Sequence, residues 1–208
     1  MDITNAALTD NRAELIGTLS SAPAFSHMSG GNRAPATEYW RFPLSITRLS
    51  GAEDILNIIT ARETLADCNP PVGARLRISG EVRTFNNKSG SGSKLVISVF
   101  AREIEVTDDD ERNSILLRGK LCKAPNLRRT PMGREICDLM LAVNRRYERS
   151  DYIPCIAWGR IASQAALWDL GESVAINGRL QSRTYNKVLE DGTTEERTAY
   201  EVSVVDLE

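Results

Sequence analysis

DYIPCIAWGR (residues 151–160) and LGESVAINGRLQSRTY (residues 170–185) decide the fold of this chain. Both are rich in apolar and β-branched residues that alternate with polar ones, the pattern of strands with one face in a core. Between them, residues 161–170 carry Ile161, Ala165 and Leu167 with few turn formers. That stretch predicts a short helix stopped by Gly171. Outward toward the N-terminus, residues 136–144 predict a second strand and residues 114–121 a first, separated by turns at Pro125 and at Pro131 to Gly133. Gly119 in that first strand suits a bulge or a sharp bend. Outward toward the C-terminus, a polar hairpin loop is predicted at residues 186–197 and a fifth strand at residues 199–207.

A fainter copy precedes this unit. AELIGTL, FPLSITRL and VGARLRISGEVRTF repeat its frame. Gly17 precedes Gly119 by 102 residues, Gly73 and Gly80 precede Gly171 and Gly178 by 98, and Phe85 precedes Tyr185 by 100. Such steady offsets mark a duplication. The acidic run DDDE at residues 108–111 is the natural hinge, which divides the chain into units 1–108 and 109–208. Strands in the first unit are predicted at residues 13–19, 39–48, 54–60, 74–85 and 93–106, with a short helix at 61–68 closed by Pro70 and Pro71.

Three strands, a helix and two more strands in about 95 residues match the oligonucleotide-binding, or OB-fold, barrel. The expected fold class is therefore mainly β: two tandem five-stranded OB-fold barrels, each with a helix between strands three and four.

Composition restricts function. At 208 residues there is room for two domains, and 41% apolar with 26% charged residues is ordinary for a globular protein. No apolar run approaches the roughly 20 residues of a membrane span, and the start, MDITNAALTD, lacks the charged and apolar regions of a secretion signal. A cytoplasmic, nucleoid-associated protein is expected. Cys68, Cys122, Cys137 and Cys155 are far apart and His27 is the one histidine, so buried thiols rather than a metal site are expected, and no cofactor. No P-loop, GxSxG or HExxH occurs, so no enzyme is expected. The net charge of −2 is uneven: residues 1–110 hold 11 basic and 14 acidic side chains, residues 111–208 hold 15 and 14.

The second unit resembles the bacterial single-stranded DNA-binding protein family. The resemblance runs through Asn113, Leu117, Gly119, Leu121, Pro125, Arg128 and Gly133, then Leu139, Leu141, Ala142, Val143, Asn144 and Arg145. It continues through Tyr152, Trp158, Gly159 and Arg160 to Gly171, Gly178, Arg179, Arg183 and Tyr185. The resemblance implies that Tyr147, Tyr152, Trp158 and Tyr185 stack bases, each worth about 1–3 kcal/mol. It assigns phosphate contacts to Arg118, Lys120, Arg128, Arg145, Arg146, Arg160, Arg179, Arg183 and Lys187. On residues alone, Trp158 also fits a core position, and Trp168 fits packing at a barrel end. In the first unit, Trp40, Phe85, Arg75 and Arg77 are the candidates, with Tyr39, Phe42 and other arginines behind them. Trp158 has no aromatic counterpart in DILNIIT, so weaker binding or an interface role is one expectation; retained binding through Trp40, Phe85 and the arginines is the other.

By the same resemblance, the chain coats and protects single-stranded DNA without regard to sequence in replication, repair and recombination. Two barrels per chain imply a homodimer with four. The family's flexible, acidic-tipped tail has no match in EVSVVDLE, so replication or repair proteins are candidate partners by a route other than such a tip. The rival is a primosome-like adaptor that holds a partner protein through one barrel.

Overall fold

The computed structural model describes residues 10–30, 35–87, 93–145, 149–189 and 192–208. The first half of the chain forms β1 (Asn11–Leu19), β2 (Ala24–Ser29), β3 (Thr37–Thr47), β4 (Glu53–Ala61), α1 (Arg62–Cys68), β5 (Arg75–Asn86) and β6 (Leu95–Val106). The second half repeats this order: β7 (Arg112–Leu121), β8 (Asn126–Arg129), β9 (Glu135–Asn144), β10 (Ser150–Trp158), α2 (Gly159–Ala165), β11 (Ser173–Val188) and β12 (Thr194–Leu207).

The mainly-β class stands, but two discrete five-stranded barrels are not what forms. All twelve strands join one continuous sheet in the order β2-β3-β4-β6-β5-β1-β7-β11-β12-β10-β9-β8. The join is antiparallel pairing of β1 with β7, from Asn11 opposite Leu117 to Ile16 opposite Arg112. Backbone groups on those two edges satisfy each other, which merges the halves into one hydrogen-bonded unit. Each half also has six strands rather than five. The extra ones, β2 and β8, pair with β3 and β9 where the sequence predicts no strand. They are largely exposed, so no burial pattern betrays them; backbone pairing alone makes them strands.

Other boundaries shift for local reasons. The loop expected at residues 186–197 is mostly strand, because β11 and β12 stay paired out to Val188 opposite Thr194. The second helix ends at Ala165, with Ala162 and Ala165 buried beneath it. Asn69, in the left-handed region at φ 38°, ends α1 just before the two prolines. No helix among the described residues is long and apolar enough to cross a membrane.

Strand alternation supplies the core. Cys137, Leu139 and Leu141 of β9 lie opposite Ala157, Cys155 and Ile153 of β10, and Leu180 and Val202 join the same core. Each fully buried Leu or Ile contributes about 2 kcal/mol. All four cysteines are free thiols; Cys137 and Cys155 are buried, Cys68 and Cys122 half-buried. Burial pushes the Cys155 thiol far above its ordinary range. Gly119 is not a bulge in the register. It sits where β7, already paired with β11, also takes up β9, and a Cβ there would lie 2.6 Å from the Ala142 carbonyl oxygen.

The duplication is visible in the bonding. Asn11 brackets the main chain of Val82 at 2.7 and 2.8 Å, and Asn113 does the same to Leu180 at 2.7 and 2.9 Å. Register shifts fall between Ser79 and Gly80 and, 98 residues later, between Asn177 and Gly178. That frame corrects one sequence pairing: Phe85 occupies the place of Arg183, not of Tyr185.

Candidate nucleic-acid interface

In β10, Ile153, Cys155 and Ala157 point into the core, which forces Tyr152 and Trp158, of opposite parity, outward. They are 52% and 42% exposed. Two large aromatics open on one face of a strand whose other face is sealed mark a candidate contact surface. Trp158 is thus not a core residue. Trp168, half-buried, packs against the core.

Registers place the neighbours. Trp158 lies opposite Ile136, and Ile136 opposite Arg128, so the three form a row across β10, β9 and β8. On the other side, β10 runs parallel to β12, which pairs with β11. The outward residues of β11 are Arg179, Gln181, Arg183 and Tyr185, since Val174, Ile176, Gly178 and Leu180 are buried. The Arg183 guanidinium carbon is 5.7 Å from the Tyr185 ring centroid, close enough for a cation–π contact. Tyr152, Trp158, Tyr185, Arg128, Arg179 and Arg183 therefore belong to one outward surface over five adjoining strands. Arg160, exposed, is the second residue of α2, two positions after Trp158, and Lys187, exposed, lies two positions after Tyr185 along β11. Arg160, Arg179 and Lys187 make no ion pair among the described residues.

Several predicted cations are already engaged. Arg128 holds Asp138 at 2.6 and 3.0 Å. Arg118 donates to Glu208 at 2.8 Å, while its Nε is buried without a partner. It lines a groove of about 570 Å³ with Lys120, Asp10 and Glu208. Arg145 spends its guanidinium on the wholly buried Asp151 and on the Thr84 carbonyl. Arg77 pairs with Glu105 at 2.6 Å and with Asp109, and Arg75 donates to the Asp109 carbonyl at 3.1 Å. Those two arginines hold the acidic hinge instead of standing open. Trp40 is half-buried on the core-side parity of β3, and its indole N–H donates to Glu38 at 2.8 Å. That bond, with Arg62 behind it, holds the Glu38 carboxyl below its usual range. Arg146 and Tyr147 lie outside the described residues.

Phe85, half exposed, follows Thr84, which is bonded to the second half. Next to it, the Thr84 hydroxyl accepts the Tyr152 backbone N–H at 3.0 Å, so aromatics of both halves flank one inter-half bond.

Sequence reasoning missed the acids on this surface. Asp138 shares the outward parity of β9, a signal present in DLMLAV but not used. Glu201 of β12 lies opposite Gln181 of β11. Burial raises its carboxyl pKa; Arg183 lowers it, and Asp138 raises it further.

The profile of the Single-strand binding protein family matches residues 112–208. Single-stranded DNA-binding protein B of Bacillus subtilis is 36% identical over 80 residues, covering 35% of this chain and 71% of that protein. Single-stranded DNA-binding protein 3 of Clostridium acetobutylicum is 35% identical over 88 residues, covering 39% of this chain but only 60% of its own length. Among solved structures, the wild-type single-stranded DNA binding protein from Thermus aquaticus aligns over 95% of this chain and 91% of its own, with a TM-score of 0.73 and 23% identity. At that identity the likeness is one of fold, and it spans both halves.

Proposed function

We propose, since this chain belongs to the single-strand binding protein family, that it binds single-stranded DNA without regard to base sequence and protects it. The observation that carries this reading is the pair Tyr152 and Trp158, held outward and open on a strand whose alternate residues are core. Bases stack on these rings and on Tyr185. Every base has a π-face, so stacking is indifferent to sequence. Arg128, Arg160, Arg179, Arg183 and Lys187 neutralise the phosphates alongside, and Lys120 and Arg118 extend the path into their groove. Arg145 acts through Asp151 by fixing the start of β10.

The role is stoichiometric coating in replication, repair and recombination, on DNA in the cytoplasm. Residues 1–108 and 109–208 act as two binding units, and two chains associate to present four. Oligo-dT titration at two salt concentrations, followed by tryptophan fluorescence, tests the activity. Binding that quenches fluorescence and weakens steeply with salt is expected; no binding to oligo-dT refutes it. Light scattering that gives the mass of a single chain refutes the dimer.

A further inference from the structure

The β3–β4, β4–β6 and β5–β6 pairings of the first half repeat those of β9–β10, β10–β12 and β11–β12, so the outward surfaces can be compared row by row. In β3–β4 and β9–β10, Tyr39 takes the place of Ile136, Arg41 that of Asp138, Ile59 that of Ile156 and Ala61 that of Trp158. The parallel pairs Ile59 with Phe100 and Ile156 with Ser203 put Phe100 where the second half has Ser203. By the β2 and β8 pairings, His27 stands at the place of Arg128. The first half has lost the Trp158 ring, but the same row and the next have gained three others.

These three form a cluster. The His27 and Tyr39 rings stack, with centroids 5.0 Å apart and planes 17° apart. Tyr39 and Phe100 follow at 5.8 Å, tilted by 54°. The Arg102 guanidinium carbon lies 4.9 Å from the Phe100 centroid. Two irregularities build this arrangement. Ser26 is an extra residue in β2, so Phe25 lies opposite Trp40 while His27 lies opposite Tyr39. Without that bulge, Phe25 and His27 would share a face. Arg102 is likewise the extra residue of β6, between Ala101 opposite Gly80 and Glu103 opposite Ser79.

Charge on this face differs from the second half in both directions: Glu81 stands where Arg179 does, while two acids of the second half have no acidic counterpart. Arg41 replaces the acid Asp138, and Ser98 stands where Glu201 does. Arg41 is exposed and in no ion pair among the described residues. Glu81 is held by Arg83 and, at 3.4 Å, by Arg102.

We propose that His27, Tyr39 and Phe100, with Arg41 and Arg102, form a second stacking platform for single-stranded DNA on the first half, displaced one to two strands from the position Trp158 marks on the other. It rests on the reading of the second half as a DNA-binding surface. Stacked rings beside cations are a general means by which proteins hold single strands.

A long oligo-dT carrying scattered iodinated deoxyuridine, irradiated on the full chain and mapped by peptide mass spectrometry, tests it directly. Cross-links are expected in peptides holding His27, Tyr39 or Phe100, alongside those holding Tyr152 or Trp158. Cross-links at Tyr152 or Trp158 alone overturn this platform and leave the second-half surface standing. A lack of cross-links at both overturns both. In solution, H27A combined with F100L, checked by thermal melting for an intact fold, is expected to lower affinity for the long strand about tenfold. Unchanged affinity in that variant, with W158A still weakening binding, overturns the proposal.

Discussion

The buried Asp151 carboxylate of the second half accepts the Thr84 backbone N–H of the first at 2.5 Å. Its mirror is Asp54 of the first half, which accepts the Ser182 backbone N–H of the second at 2.7 Å. Each aspartate is also held by an arginine six residues earlier, Arg145 or Arg48, whose guanidinium reaches the main-chain carbonyl of the same Thr84 or Ser182. Two reciprocal clasps thus supplement the β1–β7 pairing. Removing one partner of a buried ion pair leaves the other uncompensated. D151N and D54N are each expected to cost about 3–5 kcal/mol, read as a lower urea midpoint. A loss below about 1 kcal/mol in both shows that the clasps do not hold the halves together.

Stacking predicts that W158A and Y152A each weaken oligo-dT binding by about 5- to 150-fold, at about 1–3 kcal/mol per base. Trp168 should be silent in this assay, since it packs against the core. Equal losses in W168F and W158A would show that the fold, not the surface, had been disturbed.

Asp138 neutralises Arg128 and competes with a phosphate for it. D138N should therefore bind oligo-dT more tightly than the native chain, and R128A less tightly. In R128A the salt dependence should flatten by about 0.7 in log–log slope, the contribution of one phosphate contact on a single strand. An unaltered slope removes Arg128 from the phosphate path.

Glu201 gives a pH dependence. Burial chiefly raises its carboxyl above the ordinary 4.5, so the folded state holds this proton more tightly than the unfolded chain. Its contribution to stability is full below the unfolded value and is lost as pH rises through the folded one. E201Q should flatten the decline of the urea midpoint with pH above about 4.5 and raise the midpoint at neutral pH. It should also strengthen DNA binding at neutral pH, by removing a negative charge beside Arg183. Parallel pH curves for variant and native chain would contradict this.

G119A should be severely destabilising, by about 3 kcal/mol or more, because its Cβ meets backbone rather than a movable side chain. Thermal denaturation reads the loss. A near-native melting temperature would mean that β7 and β9 separate freely at Lys120 and Ala142.

Much of the candidate surface was legible in the chain. The alternation in residues 152–158 fixes the opposition between Tyr152 or Trp158 and the core residues between them. It does not say which of the two faces is covered, and so Trp158 reads equally as core until its neighbours are in place. Charge was less legible. Arg128 and Arg145 look alike as basic residues near a loop, yet one pairs with an acid on the outer surface and the other with a buried acid at the junction of the halves. Ser26 in β2 is invisible as a bulge, because nothing in AFSHMS distinguishes the extra residue from its neighbours.

The sequence by itself determined the strands with a buried face, the two helix positions, the repeated glycine frame and the family. These depend on period, turn residues and local packing demands, all within a few residues. Tertiary structure alone decided that β1 joins β7, so that two copies become one twelve-stranded sheet. It also decided which cations stay open and where the first half carries its rings. Those outcomes depend on the register between strands far apart in the chain, and cross-strand partners are set by backbone pairing that individual residues do not encode.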